Sequence, residues 1–335
     1  MNDASLDMLR RLPKAELHLH IEGSLTPQRL FALAAKNGVT LEYESEAALA
    51  AAYDFNNLQE FLDLYYLGMN VLQDEEDFYL LTKDYLDVCR TQNIRYVEIG
   101  FDPQGHTERG IAFATAYHGI HNALRDAQRE WGLESGLMLN ILRHLPQDHA
   151  LATIDEAVAA GAEIIAIGLD SSEAPFPPQL FVDAFAKARA LGWHCVAHAG
   201  EEGPPAFVWS ALKDLQVERV DHGVRSEEDP ALLATLAQRQ IPLTVCPLSN
   251  VRLAVVDHMR DHNILRLLDA GLLVTVNSDD PAYFGGFLEE NFVALADNLD
   301  MSDAQMVQLV RNGFSASFAA APDKARWLAQ IDSIA

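Results

Sequence analysis

The chain has 335 residues, with 24 Lys plus Arg against 49 Asp plus Glu, a formal net charge of −25. So acidic a surface repels phosphate backbones and anionic headgroups, which argues against nucleic-acid and membrane partners and favours a neutral or cationic small molecule. Hydrophobic residues at 49% and charged residues at 22% mark a globular chain, and the length suits one large α/β domain or two medium ones.

The chain opens Met1-Asn2-Asp3-Ala4-Ser5, with neither a basic nor an apolar leader segment, so no secretory signal is expected. No run of about 18 apolar residues offers a membrane span. Cys89, Cys195 and Cys246 are odd in number, far apart and in apolar contexts. They read as reduced core thiols of a cytoplasmic protein.

Strands are predicted near Glu16–His20, Arg95–Ile99, Leu137–Leu142, Ile164–Gly168, Cys195–His198, Arg219–His222, Leu243–Cys246 and Val274–Asn277. Several are continuous apolar runs, as parallel strands buried on both faces require. Amphipathic stretches at Leu58–Leu72, Phe78–Arg90, Ala112–Trp131, Leu180–Leu191 and Ala231–Arg239 read as helices between them. Thr26-Pro27 reads as an N-cap followed by Pro at the first helical position, and Asp74–Asp77 as the acidic first turn of a helix. Ala174–Pro178 reads as a loop. Eight strands with helices in most gaps predict an α/β fold, a (β/α)8 TIM barrel, in one domain over residues 1–335. Extra helices are expected after strand one and in the C-terminal tail. Glycine-rich dinucleotide and phosphate-loop fingerprints are missing.

The polar residues fall where a barrel keeps its chemistry, at the carboxyl ends of strands. Strand one ends in His18-Leu19-His20, strand five in His198-Ala199-Gly200-Glu201, strand six in Asp221-His222-Gly223, and strand eight in Asn277-Ser278-Asp279-Asp280. Each signal alone has a bland explanation: a structural His pair, a satisfied core histidine, an Asp pair capping the next helix. Gathered at one mouth without partners, these groups would carry several kcal/mol of desolvation cost. His18, His20, His198 and Asp279 together suit a zinc ion with one position left for water. Iron and manganese fit the same ligand types. A second metal needs a further bridging ligand, and Gly168-Leu169-Asp170 offers no lysine for it, so one metal per chain is expected. Zinc lowers the pKa of a bound water to near neutrality, which makes a nucleophile. Glu201 is then the candidate general acid/base. His222 is placed to orient or activate the water or to stabilise developing charge, and Asp280 to face the substrate. The reaction class is hydrolysis at an electrophilic carbon.

Pro13-Lys14-Ala15-Glu16-Leu17-His18-Leu19-His20-Ile21-Glu22-Gly23, followed by His198-Ala199-Gly200-Glu201, Asp221-His222-Gly223 and Ser278-Asp279-Asp280-Pro281, resembles the adenosine/adenine deaminase family of metal-dependent amidohydrolases in order and spacing. The resemblance covers nearly the whole chain. It implies a zinc barrel that replaces an exocyclic purine amine by oxygen and releases ammonia. Carried over, His18, His20, His198 and Asp279 bind zinc. Glu201 delivers a proton to ring N1 as C6 is attacked, and His222 positions the attacking oxygen. From the resemblance alone, Asp280 contacts N7 and the Gly168 backbone lies near N3.

Glu22 stands where nucleoside deaminases of the family typically carry Asp against a ribose hydroxyl. Its extra methylene is expected to fill that space. Gly168–Glu173, Cys246–Asn250 and Asn277–Gly286 also resemble the free-base branch. Adenine going to hypoxanthine, in purine salvage, is therefore the expected reaction. Deamination of N6-substituted adenines or of adenosine-type nucleosides is the alternative, and a non-catalytic zinc or purine binder the remote one. Ile99-Gly100-Phe101, read as following strand two, is a candidate wall of the pocket around the leaving amine. The sequence carries no marker of oligomeric state.

Overall fold

The structure is a computed structural model that describes residues 1–55 and 57–335. Eight parallel strands lie in sequence order: β1 (Lys14–Glu16), β2 (Ile94–Phe101), β3 (Glu134–Leu142), β4 (Ile164–Asp170), β5 (His194–Ala199), β6 (Arg219–His222), β7 (Leu243–Val245) and β8 (Val274–Val276). Helices cross over between most of them, and the whole is the expected (β/α)8 barrel. The long segment between β1 and β2 holds helices Pro27–Asn37, Glu46–Ala51, Leu58–Gly68 and Glu75–Thr91, and the tail adds Leu288–Asn298, Asp303–Ala316 and Ala321–Asp332. Among the described residues no helix is long and apolar enough to cross a membrane.

Local chemistry sets the helix starts. Thr26 Oγ1 accepts from Arg29 N at 3.2 Å, with Pro27 at the first helical position. Asp74 and Asp77 form a reciprocal capping box, so the acidic run does begin a helix. The stretch expected as a helix over Leu58–Leu72 leaves the α-helix after Gly68 and finishes as a 3₁₀ turn, Met69–Val71.

β1 is shorter than expected and stops before both histidines. Beyond it the barrel closes by other means. Leu17 N donates to the Asn277 side chain at 2.9 Å, Asp279 N to His18 O at 3.1 Å, and His20 N to Asp279 O at 3.0 Å. Glu16 accepts from Ser278 N at 3.0 Å and from Tyr85 at 2.6 Å. This closure carries His18, His20 and Asp279 on one continuous seam.

β2 and β4 run two residues past the carboxyl ends that the apolar runs suggested. Gly100 continues the ladder, its N–H donating to Leu19 O at 2.8 Å and its carbonyl accepting from Ile21 N at 2.9 Å. Ile99, Gly100 and Phe101 are thus buried in the strand.

Deep in the barrel Glu98 of β2 pairs with Arg219 of β6, and both side chains are wholly buried. Tyr96 and the Phe318 N–H also donate to Glu98, while Arg219 reaches Leu17 O. Removing one partner of such a pair leaves an uncompensated buried charge. Glu98→Ala is expected to cost about 3–5 kcal/mol in chemical denaturation, and Glu98→Leu combined with Arg219→Met less than that. A single-variant loss below about 1 kcal/mol would show that the pair is not held dry.

Candidate metal centre and pocket

His18 and His20 lie just past β1, His198 on β5, and Asp279 just past β8. One donor atom from each lies within 4.8 Å of all the others, and all four residues are buried. His18 Nε2 is 3.1 Å from Asp279 Oδ1, His20 Nε2 is 3.5 Å from it, and the Nε2 atoms of His20 and His198 are 3.3 Å apart.

The hydrogen bonds behind these rings determine their tautomers. His198 Nδ1 faces the Leu169 carbonyl at 3.0 Å, so it carries the proton and leaves a lone pair on Nε2. His18 Nδ1 faces Thr244 Oγ1 at 3.0 Å, and the Thr244 hydroxyl hydrogen is given to Asp221 Oδ1 at 2.7 Å. Thr244 therefore accepts from His18, and His18 Nε2 is again a bare lone pair. It faces a carboxylate oxygen and has no hydrogen-bond partner. Lone pairs turned on one another at these distances repel unless a proton or a metal cation lies among them. Three imidazole nitrogens and one carboxylate oxygen are donor types that suit a divalent transition-metal ion. His20 Nδ1 is backed by Asp170 and Asp102, at 3.4 and 3.8 Å.

His222 Nε2 lies 3.6 Å from Glu201 Oε1 and 3.7 Å from Asp279 Oδ2. Burial lowers its pKa to about 3. Burial, reinforced by the nearby Asp279 charge, pushes the carboxyls of both Glu201 and Asp280 well above the usual range. Glu201 Oε1 and Asp280 Oδ1 are buried without partners. Asp280 precedes the short helix Pro281–Phe284 but makes no capping bond to it, so its carboxyl remains free for other work. His222 and Asp279 adopt left-handed backbone conformations, φ 59° and 63°, which cost non-glycine residues strain and cluster at functional sites.

These groups border a pocket with ≈ 380 Å³ of empty volume. Its polar wall includes His20, Asp102, Asp170, Ser171, Glu201 and Asp280, and its apolar wall Leu58, Phe61, Leu62, Tyr65 and Phe284. Two expected substrate-contact residues and one expected wall segment lie outside this lining. Gly168 sits inside the barrel, where a Cβ would meet Asn140 Oδ1 at 2.2 Å. Because β4 runs on to Asp170, it is Asp170 and Ser171 that border the pocket. Glu22 lies one layer back, accepting from Asp102 N at 3.1 Å and paired with His106 at 2.7 Å. Ile99–Phe101 stay in β2. The neighbouring Gly23 has a clear reason: a Cβ there would lie 1.9 Å from Asp280 Oδ1.

Glu173 was not singled out from sequence. It accepts from four successive backbone amides, Gly200, Glu201, Glu202 and Gly203, at 2.7–3.1 Å. One carboxylate thus shapes the loop that presents Glu201. Arg143 donates to the His198 carbonyl at 2.9 Å.

The chain belongs to the adenosine deaminase family, whose model matches residues 13–334. It is 57% identical over 309 residues to an adenine deaminase of Bordetella avium, covering 92% of this chain and 98% of that one. It is 50% identical over 328 residues to an adenine deaminase of Acinetobacter baylyi, covering 98% and 99%. Among solved structures, an adenine deaminase from Arthrobacter aurescens superposes with a TM-score of 0.95 at 45% identity, covering 96% of this chain and 98% of that one. An amidohydrolase from Burkhoderia ambifaria with bound Zn superposes with a TM-score of 0.91 at 29% identity, covering 100% and 94%. The protein is an amidohydrolase of a metal-dependent family.

Thr244 supports His18 without touching the ion site. Thr244→Val is expected to weaken metal binding about 10–100-fold in chelator competition, since such supporting bonds orient the ligand. Unchanged affinity would show that the Thr244–Asp221 link does not orient His18.

Proposed function

We propose that this chain is an adenine aminohydrolase that converts adenine and water to hypoxanthine and ammonia, with one zinc ion per chain held by His18, His20, His198 and Asp279. The observation that carries the reading is the 50–57% identity to adenine deaminases over at least 92% of the chain. Pocket chemistry supports it. Five carboxylates border the pocket, Asp102, Asp170, Glu201, Asp279 and Asp280, and no Lys or Arg is among its described lining residues. Such a wall disfavours a phosphate and suits an uncharged base. A cytoplasmic, one-domain protein belongs to the same proposal, supported by three free, buried cysteines.

The ion, when bound, supplies Lewis-acid activation of water near neutral pH. The chain does the rest. His222 holds the attacking oxygen toward C6 of the ring. Glu201, buried and without a partner on Oε1, delivers a proton to N1 as the C6–oxygen bond forms. Burial raises the Asp280 carboxyl well above the usual range, and in its protonated form it donates a hydrogen bond to the N7 lone pair. The apolar wall of Leu58, Phe61 and Leu62 limits water around the ring, which strengthens these polar contacts. Glu201, ionised by that transfer, then takes the proton of the C6 hydroxyl and passes it to the amine, which leaves C6 as ammonia while the C6 oxygen becomes the carbonyl.

Steady-state turnover of adenine, adenosine, N6-methyladenine and AMP, with metal analysis of the same sample, tests the reading. Adenine is expected to have the highest kcat/KM and AMP to lie near background. Adenosine turning over faster than adenine would overturn the free-base assignment. Glu201→Gln is expected to keep its metal and lose about 10²–10⁴ in kcat. Unchanged turnover would remove Glu201 from proton transfer.

A further inference from the structure

A buried hydrogen-bond chain runs from a backbone amide to the ring of His222. Its first link is Ile264 N–H, which donates to His262 Nδ1 at 3.1 Å. A backbone amide only donates, so Nδ1 supplies the lone pair and the proton of neutral His262 sits on Nε2. His262 is buried, and desolvation lowers its pKa to about 4, so the neutral ring is the form present near neutral pH. Its Nε2–H faces Asn250 at 3.3 Å, and the partner there must be the carbonyl oxygen, Oδ1. The opposite amide orientation would ask His262 to accept at both nitrogens, which a neutral imidazole does not do. Asn250 therefore turns its Nδ2 to His222 Nδ1, also at 3.3 Å. An amide nitrogen only donates, so His222 Nδ1 accepts. The proton of neutral His222 then sits on Nε2, the nitrogen that faces Glu201 and Asp279.

The three residues come from different parts of the chain. His222 ends β6, Asn250 lies in the helix Pro247–Arg252 that follows β7, and His262 sits just before the helix Ile264–Asp269. All are buried, so water does not offer the amide an alternative partner.

We propose that Asn250 and His262 are positioning residues that hold His222 as its Nε2–H tautomer, so that His222 donates a hydrogen bond to the attacking oxygen and does not act as its general base. This deepens the proposed deaminase reading and rests on it for the identity of that oxygen. The tautomer itself is independent of the substrate. The chain also divides the proton work. Donation to Asn250 is closed to His222 at Nδ1, and Nε2 already carries its hydrogen. Glu201 is left as the group that exchanges a proton with the reaction.

The test is ¹⁵N NMR of histidine-labelled, metal-loaded enzyme, with the His222 signals identified against His222→Asn. The expected result is a protonated Nε2 and an unprotonated Nδ1. Asn250→Asp is nearly isosteric but presents only acceptor oxygens, so it should draw a proton onto His222 Nδ1. It is expected to lower kcat by about 10²-fold or more, within the up to about 10⁴-fold that a wrong tautomer costs a catalytic histidine. KM and bound metal should stay near wild type. His262→Gln keeps a donor toward Asn250 and should retain more of kcat than His262→Leu. Protonated Nδ1 in the wild type, or wild-type kcat and ring spectrum in Asn250→Asp, would overturn the proposal. If Asn250→Asp does not fold, the wild-type spectrum and the His262 pair decide it. A panel that shows a substrate other than adenine would sink the functional reading and leave the tautomer result standing.

Discussion

The site turns on a repulsion built into the fold. His18 and His198 each spend their Nδ1 proton on a fixed acceptor, Thr244 in one case and the Leu169 carbonyl in the other. Their remaining lone pairs are aimed into the same dry space as Asp279. A metal cation among them would satisfy all of these donors at once. The seam that closes the barrel, β8 onto the segment after β1, is the same seam that brings His18, His20 and Asp279 together. Fold closure and ligand placement are therefore one structural event. Strain follows from it: the left-handed backbone at Asp279 and His222 persists because the surrounding hydrogen bonds over-determine it.

Around this centre the chain uses carboxylates in two ways. Glu173 and Asp221 are spent on shaping the site. Glu173 accepts from four amides of the loop that carries Glu201, and Asp221 takes the Thr244 hydroxyl that orients His18. Glu201 and Asp280 are kept back, each with a buried oxygen that nothing in the chain satisfies. A buried acid without a partner is costly in a structural role. Glu22, Asp102 and Asp170 also keep one unpartnered buried oxygen, so it is the position of Glu201 and Asp280 at the pocket beside Asp279 that marks them for work on a substrate.

The barrel, and the gathering of His18, His20, His198 and Asp279 at its mouth, were legible in the sequence because each rests on a local pattern. Apolar runs mark buried strands, and a polar residue at the end of such a run marks the barrel mouth. What was missed depends on register. β4 and β2 each extend two residues past the expected end, which moves the pocket edge from Gly168 to Ser171 and withdraws Ile99–Phe101 into the sheet. Hydrophobic periodicity does not see the end of a strand whose last residues are polar, as Asp170 is, or glycine and aromatic, as Gly100 and Phe101 are. Glu22 was expected at the substrate, but His106, from a helix 84 residues on, draws it back. Glu173 and Asn250 lay at the ends of stretches that stood out for their resemblance, with no role attached. His262 left no mark at all, because its importance depends on a neighbour's backbone amide.

The net charge of −25 takes on a narrower meaning in this setting. Most of those carboxylates are exposed and act only through a screened long-range field. The five at the pocket act at contact distance in a low dielectric, where a phosphate would meet acids with no Lys or Arg among the described lining residues to offset them. A neutral purine meets no such penalty, and it can use two of the acids once they are protonated. Under the proposed roles Glu201 and Asp280 act in their protonated forms, so the charge that a phosphate would meet rests with the other three carboxylates of the pocket wall. Exclusion of phosphate and the proposed proton chemistry therefore draw on different acids of one pocket wall.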